Sequence, residues 1–167
     1  MEKSQSKTNG SSKVSDEFGL MERRDEDQIL AELRGHYLEE FVYSFEAGGR
    51  RVIGLSWAGV KECAYRLGGI NVESCEVLEL EDAWRVVAKA VNKVDGSSRW
   101  GACQQPKKMR YRDGAEVVDE FALQKAVSKA QRNAIRALLP EIFIKTFIDR
   151  YLEEKKRVTA FGSKTQV

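Results

Sequence analysis

The sequence predicts an α+β fold: an antiparallel β-sheet, laid out as hairpin, helix and three-stranded meander, packed by a long α-helix. Three observations carry that expectation. Gly48-Gly49 separates two alternating runs, Phe41 to Glu46 and Arg50 to Leu55. Asp95-Gly96 separates the most regular alternating run, Ala83 to Val94, from a returning run, Ser98 to Cys103. Both dipeptides suit tight hairpin turns, whose central residues need positive φ. Finally, Asp119 to Leu139 has no Gly or Pro and repeats its apolar residues at three and four, the period of a helix.

Taken in order, the chain opens with a stretch rich in Ser, Lys, Gly, Asn and Asp that lacks a sustained period. Residues 1–23 therefore read as a disordered tail, 24–156 as the domain and 157–167 as a second flexible tail. From Arg24 to Leu38, Ile29, Leu33 and Tyr37 recur every fourth residue, predicting a short amphipathic helix. The hairpin follows, with Arg50 and Arg51 at its tip. Ser56 to Leu67 reads as a helix capped by Ser56 and stopped by Gly68-Gly69.

Ile70 to Leu80 is extended, with Val72, Leu78 and Leu80 in one phase and Cys75 and Val77 in the other. In the next strand Trp84, Val86, Ala88 and Ala90 share a face; Arg85, Val87, Lys89, Val91 and Lys93 share the opposite one. Pro106 ends the returning strand, which carries Arg99 and Trp100. A basic connecting loop of Lys107, Lys108, Arg110 and Arg112 with Tyr111 closes at Asp113-Gly114. After Pro140, a last helix from Glu141 to Glu154 carries Ile144, Phe147, Ile148 and Tyr151 on one side. That is more apolar surface than a terminal helix on a small sheet needs, so part of it is expected to pack on a second subunit.

The long helix carries two stripes. Ala122, Ala126, Ala130 and Ala134 form a small-residue arc that lets a sheet approach closely. Beside it Lys125, Lys129, Arg132 and Arg136 share a band roughly 60° wide, with no acid of the same helix on it. Like charges at these spacings repel by a few tenths of a kcal/mol per pair. A polyanion outside the helix would offset this; a solvated charged face is the plainer reading.

Lys and Arg total 28 against 26 for Asp and Glu in 167 residues, so the net charge is only +2. Nucleic-acid binding must then come from local patches. Three cysteines, Cys63, Cys75 and Cys103, lack metal-ligand spacing and read as reduced thiols of an intracellular protein. His36 is the only histidine, which argues against a His-based metal site or acid–base pair. No apolar run is long enough to span a bilayer and no signal-type core follows the start, so the cytoplasm is the expected compartment.

The candidate binding residues are Arg50 and Arg51, Arg85, Lys89 and Lys93, Arg99, then Lys107, Lys108 and Arg110, and the helix band of Lys125, Lys129, Arg132 and Arg136. Tyr43, Trp100 and Tyr111 lie among them. Cations for phosphates interleaved with flat side chains for unstacked bases are what single-stranded nucleic acid requires. The competing reading is a mixed-charge surface. The acids Glu73, Glu76, Glu79, Glu81 and Asp82 suggest Mg²⁺, but alternation splits them between two faces. No nucleophile–base pair and no phosphate-cradling glycine loop is present. No enzyme, cofactor or metal site is expected.

Three stretches, AGGRRVIGLSWAGVKECAYRLGGINVESCEV, WRVVAKAVNKVDGSSRWGACQ and LQKAVSKAQRNAIRALL, together resemble the Rad-fifty-two single-strand annealing family over roughly Gly35 to Leu139. The phage annealing proteins of the ERF type are similar too. The resemblance implies a β-β-β-α annealing core that assembles into a ring or arc. Single-stranded DNA would lie in a basic groove between the hairpin and the sheet-and-helix stem. It implies annealing of complementary strands in homologous recombination and DNA repair, without ATP, with a single-strand-binding protein or a recombinase as further partners. Arg136 matches the cation near the carboxyl end of the family's long helix. Where many relatives carry further arginines this chain has Ala137 and Pro140, and Ser98-Arg99 replaces an acidic dipeptide after the Asp-Gly turn. From Ser56 onward the order helix, three strands, helix is also that of a double-stranded-RNA-binding domain, although Asp119-Glu120 stands where that module expects lysines. A non-binding assembly scaffold is the third reading.

Overall fold

The computed structural model describes residues 11–111 and 113–162; the first ten residues of the expected N-terminal tail, Arg112 of the basic loop and the last five residues fall outside them. The elements are α1 (Ser11–Leu33), β1 (Val42–Ala47), β2 (Arg50–Leu55), α2 (Trp57–Leu67), β3 (Ile70–Glu79), β4 (Ala83–Asn92), β5 (Ser98–Pro106), β6 (Lys108–Arg110), β7 (Glu116–Val118), α3 (Ala122–Arg136) and α4 (Glu141–Gly162). The architecture is mixed α+β with antiparallel pairing throughout. The hairpin β1–β2 does not join the β3-β4-β5 meander but forms its own two-stranded sheet, and β6–β7 forms a third.

Local chemistry accounts for the hairpin and α2. Ala47 pairs with Arg50, leaving Gly48 and Gly49 as the turn with φ of 58° and 76°. Side chains other than glycine rarely adopt two such angles in succession. Ser56 Oγ accepts from the Gly59 N–H at 3.1 Å and caps α2, while the Gly68 N–H closes on the Ala64 carbonyl at 3.0 Å. Trp57, Val60 and Cys63 point inward, and burial pushes the Cys63 thiol up to about 11.

α3 packs on β4 and β5, sealing one face of the meander. Val86, Ala88 and Ala90 meet Ala126, Ala130 and Ala134 in the core. Gly101, the register partner of Ala88, explains the alanine arc. A Cβ there would lie 2.2 Å from the Ala134 nitrogen and 2.3 Å from the Ala130 carbonyl oxygen, so strand and helix meet backbone to backbone. β3 is the less covered edge, with its register shifted between Val72 and Ser74.

Three expectations need correction. α1 begins at Ser11 instead of Arg24, so residues 11–23 of the expected tail are helical; it ends at Leu33 instead of Leu38. Of its expected apolar row only Ile29 enters the core, and Tyr37 is 80 % exposed beyond the helix. Polar contacts hold it: Asp25 accepts from the Trp57 N–H at 2.9 Å and Gln28 from the Ala58 N–H at 3.0 Å, both at the start of α2. The basic connecting loop is instead largely the β6–β7 ribbon, with Lys108 paired to Val118 and Arg110 to Glu116. α4 runs past Glu154 to Gly162. Its Ile144 and Phe147 join the chain's own core, with Phe147 and Tyr151 packed on Phe41, so most of the surface thought spare is already used. Ile142 stays exposed. Among the described residues no helix is long and apolar enough to cross a membrane.

Candidate nucleic-acid interface

The α3 cations lie side by side as predicted, but Lys125, Lys129 and Arg132 face α1 and Arg136 pairs with α4. Lys125 is 2 % exposed and Lys129 5 %. Lys125 Nζ sits 2.8 Å from Asp119 and 3.5 Å from Glu26. Lys129 Nζ reaches Glu26 at 2.6 Å, Glu22 at 2.8 Å and the Gln105 side-chain oxygen at 2.9 Å. Arg132 pairs with Asp25 and, at 3.0 Å, with Glu22; Arg136 reaches Glu141 of α4 at 2.9 Å. Glu22, Asp25 and Glu26 follow i, i+3, i+4 spacing, the acidic counterpart of the basic row. The anion that the band requires is therefore part of the same chain.

Protonation follows from this packing. Burial disfavours the Glu22 carboxylate, yet Lys129 and Arg132 outweigh it and its pKa falls. Burial also opposes the charge on Lys129, and Glu22 and Glu26 overcome it and raise its pKa. At Asp25 burial wins despite Arg132, and the pKa rises. Among the described residues no buried side-chain nitrogen or oxygen lacks a hydrogen-bond partner.

A cavity of about 610 Å³ lies between the hairpin, α1, α3 and α4, where Tyr43 and Ile53 face Arg132 and Arg136. The groove that the resemblance implies is expected between the same hairpin and the stem. The cavity's arginines are already compensated by Glu22, Asp25 and Glu141, so it is not a bare basic channel.

The opposite face of the meander differs. The register places Lys89 beside Trp100, Val87 beside Ala102 and Arg85 beside Gln104, one row on β4 and one on β5. Trp100 is 57 % exposed, and Lys89 Nζ lies 5.8 Å from its ring centroid. Arg85 donates to the Gln104 side-chain oxygen at 3.0 Å through its terminal nitrogen. Leu78 extends the row on β3 as the partner of Arg85. The face is not purely basic: Glu73 pairs with Lys89 at 2.7 Å, and Glu76 stands opposite Val87. The result is an open sheet face on which one aromatic ring and the cations Lys89 and Arg85 stand among the acids Glu73 and Glu76 and amide and aliphatic neighbours.

The remaining candidates do not converge on this row. Lys107 lies on the α3 side, 2.7 Å from Glu79 and 5.0 Å from the Trp84 ring. Arg99, exposed and paired with Ala90 across the strands, donates to the carbonyl of its neighbour Ser98. Lys93 is exposed in the β4–β5 turn. Lys108 and Arg110 are exposed on the ribbon, each 4.0 Å from Glu116, with Tyr111 beside them. Arg50 and Arg51 are exposed on the separate hairpin, where Arg51 donates to Ser44 Oγ at 2.9 Å. Sequence reasoning missed Glu22, Asp25 and Glu26; the signal available was an acidic row at helical spacing that matches the basic one. Among the described residues no group of three or more His, Cys, Asp or Glu could hold a metal ion. No protein-family model matches the chain, and no curated protein matches it.

Proposed function

We propose that this chain binds single-stranded DNA on the open face of the β3-β4-β5 meander and promotes pairing of complementary strands without nucleotide hydrolysis. The observation that carries the proposal is the exposed Trp100 ring beside Lys89, on a sheet whose other face is sealed by α3. An exposed indole offers a stacking surface to any base, and the neighbouring cations follow the phosphates. Arg85 adds a second positive group two register steps along. Arg99, Lys93, Lys108 and Arg110 are exposed charges outside this row, available to the phosphates of a longer strand. The order of three antiparallel strands, the inserted β6–β7 ribbon and then α3 supports a β-β-β-α annealing core, and assembly into an arc or ring would line up several platforms. Roles in recombination and repair follow from that reading.

The order α2, β3, β4, β5 and, after the inserted β6–β7 ribbon, α3 also favours a double-stranded-RNA-binding module. Against it, the start of α3 presents Asp119 and Glu120, and Lys125 is buried on Asp119. The deciding experiment is binding of labelled single-stranded DNA, duplex DNA and duplex RNA across a salt series, followed by strand annealing in EDTA without nucleotide. Preference for single strands and annealing under those conditions are expected. Preference for duplex RNA transfers the protein to the second reading, and no binding at low salt leaves only an assembly scaffold.

A further inference from the structure

We infer that Glu76 gives the open sheet face a preference for guanine at the step beside Trp100, an inference that rests on the proposed binding of single strands to this face.

The register sets the geometry. Trp100 and Lys89 form one row across β5 and β4; Gln104 and Arg85 form another, four residues further along β5. Between them lie the shorter side chains Ala102 and Val87, and Glu76 ends this middle row on β3. Residues directly opposite one another share a face, so the three rows project to the same side. The middle row is therefore a shallow slot, walled by the indole on one side and by Gln104 and Arg85 on the other, with a carboxylate at its β3 end. Strand spacing and rise put the Glu76 and Trp100 backbones roughly 12 Å apart. A base stacked on the indole, together with the two side chains, bridges that separation.

The two acids of this face stand in different states. Glu73 holds Lys89 Nζ at 2.7 Å, the place a phosphate oxygen would take. Glu76 is exposed and has no hydrogen bond or ion pair with a described residue. Arg85, in the next row, donates to Gln104 instead. A bare carboxylate repels phosphates, so a strand crossing the face turns its bases and not its backbone toward Glu76.

The chemistry of the carboxylate then selects the base, because it can only accept hydrogen bonds. Guanine offers two adjacent donors, its N1–H and its N2 amino group. Adenine and cytosine offer one amino group beside an acceptor nitrogen, and thymine one N–H between two carbonyl oxygens that repel the carboxylate. Paired charge-assisted contacts are the stronger kind. This contact uses the edge that pairs with cytosine, so annealing releases it.

The test measures binding of the full chain by fluorescence anisotropy. The probes are labelled thymidine dodecamers carrying one central deoxyguanosine, deoxyadenosine or deoxyinosine, all purines that stack alike. The guanine probe should bind about three- to tenfold more tightly than the adenine probe. Inosine, which lacks the N2 amino group, should lose most of that gain. Glu76→Ala should erase the difference and raise affinity for the unbroken thymidine dodecamer, since a negative charge leaves the face. Glu73→Gln frees Lys89 and should raise affinity for every probe alike, with the guanine preference kept. Equal binding of the guanine and adenine probes by the wild type overturns the inference and leaves the platform standing, as does a guanine preference that survives Glu76→Ala. No binding of any probe overturns the platform and the inference together.

Discussion

The Lys129 ammonium lies 2.6 Å from the Glu26 carboxylate, a residue 103 positions earlier in the chain. Around this pair α1 and α3 share a zipper of opposite charge in which both lysines of α3 are buried. Removing one partner of a buried pair costs more than the pair contributes, because the other charge stays behind without compensation.

The innermost member gives the sharpest case. Lys125→Met should lower stability by about 3–5 kcal/mol in urea unfolding, since Asp119 is as deeply buried as Lys125. Adding Asp119→Asn should restore most of the loss, because an amide oxygen can still accept from the Phe121 N–H, as Asp119 does at 3.0 Å. An equal loss in the double variant would mean that the side-chain packing of Lys125, and not its charge, is what counts.

Acid should loosen the zipper in a definite direction. The Glu22 pKa lies below its ordinary 4.5 in the folded chain, so its pairing stabilises the fold above that value. The contribution is lost as pH falls through the lowered folded value. Asp25, shifted upward by burial, acts the opposite way and partly offsets it. Stability of the wild type should therefore fall more steeply below pH 4.5 than that of Glu22→Gln. Parallel profiles would remove Glu22 from the account.

Close approach of β5 to α3 should tolerate no side chain at Gly101. With helix backbone at 2.2 Å from a new Cβ, Gly101→Ala forces α3 to move and should cost about 1–3 kcal/mol, or more, by thermal unfolding. An unchanged midpoint would mean that the helix has room to shift.

The platform makes a prediction about binding that is independent of stability. Trp100→Ala removes an exposed ring, so the fold should persist while single-strand affinity drops by about 1–3 kcal/mol. Lys89→Gln should reduce the salt slope by about 0.7 if one phosphate contact is lost. Lys108→Gln should have a smaller effect, because β6 and β7 form a separate sheet. If Trp100→Ala binds like the wild type, the open face is not the site.

Features set by neighbours in the chain were legible from sequence. Gly48-Gly49, the Ser56 cap and the alternation of β4 stand where residue chemistry placed them, because each depends on a few adjacent φ/ψ choices; the Asp95-Gly96 turn is wider than a tight two-residue turn, since β4 ends at Asn92 and only Gly96 takes positive φ. The α3 period was legible too, including which side chains share its basic band. What covers that band was not, because periodicity assigns residues to a face without naming the face's partner. Glu22 came from the stretch whose low hydrophobicity made it read as a tail, and Asp25 and Glu26 from the predicted Arg24–Leu38 helix, where mixed charges pointed to no particular partner. Likewise Trp100 was recognisable as an aromatic among cations, but only the register sets Lys89 beside it and Lys107 on the opposite side.

The separation between α1 and α3 also bears on synthesis. The hairpin and α2 can close while the chain is still emerging, because their contacts are local. The acids of α1 must wait for residues about a hundred positions later, and until then the Val86, Ala88 and Ala90 face has no helix upon it. A nascent chain halted before Ala122 would thus expose an apolar sheet next to an acidic helix still without its α3 cations, a target for a chaperone and not yet a domain.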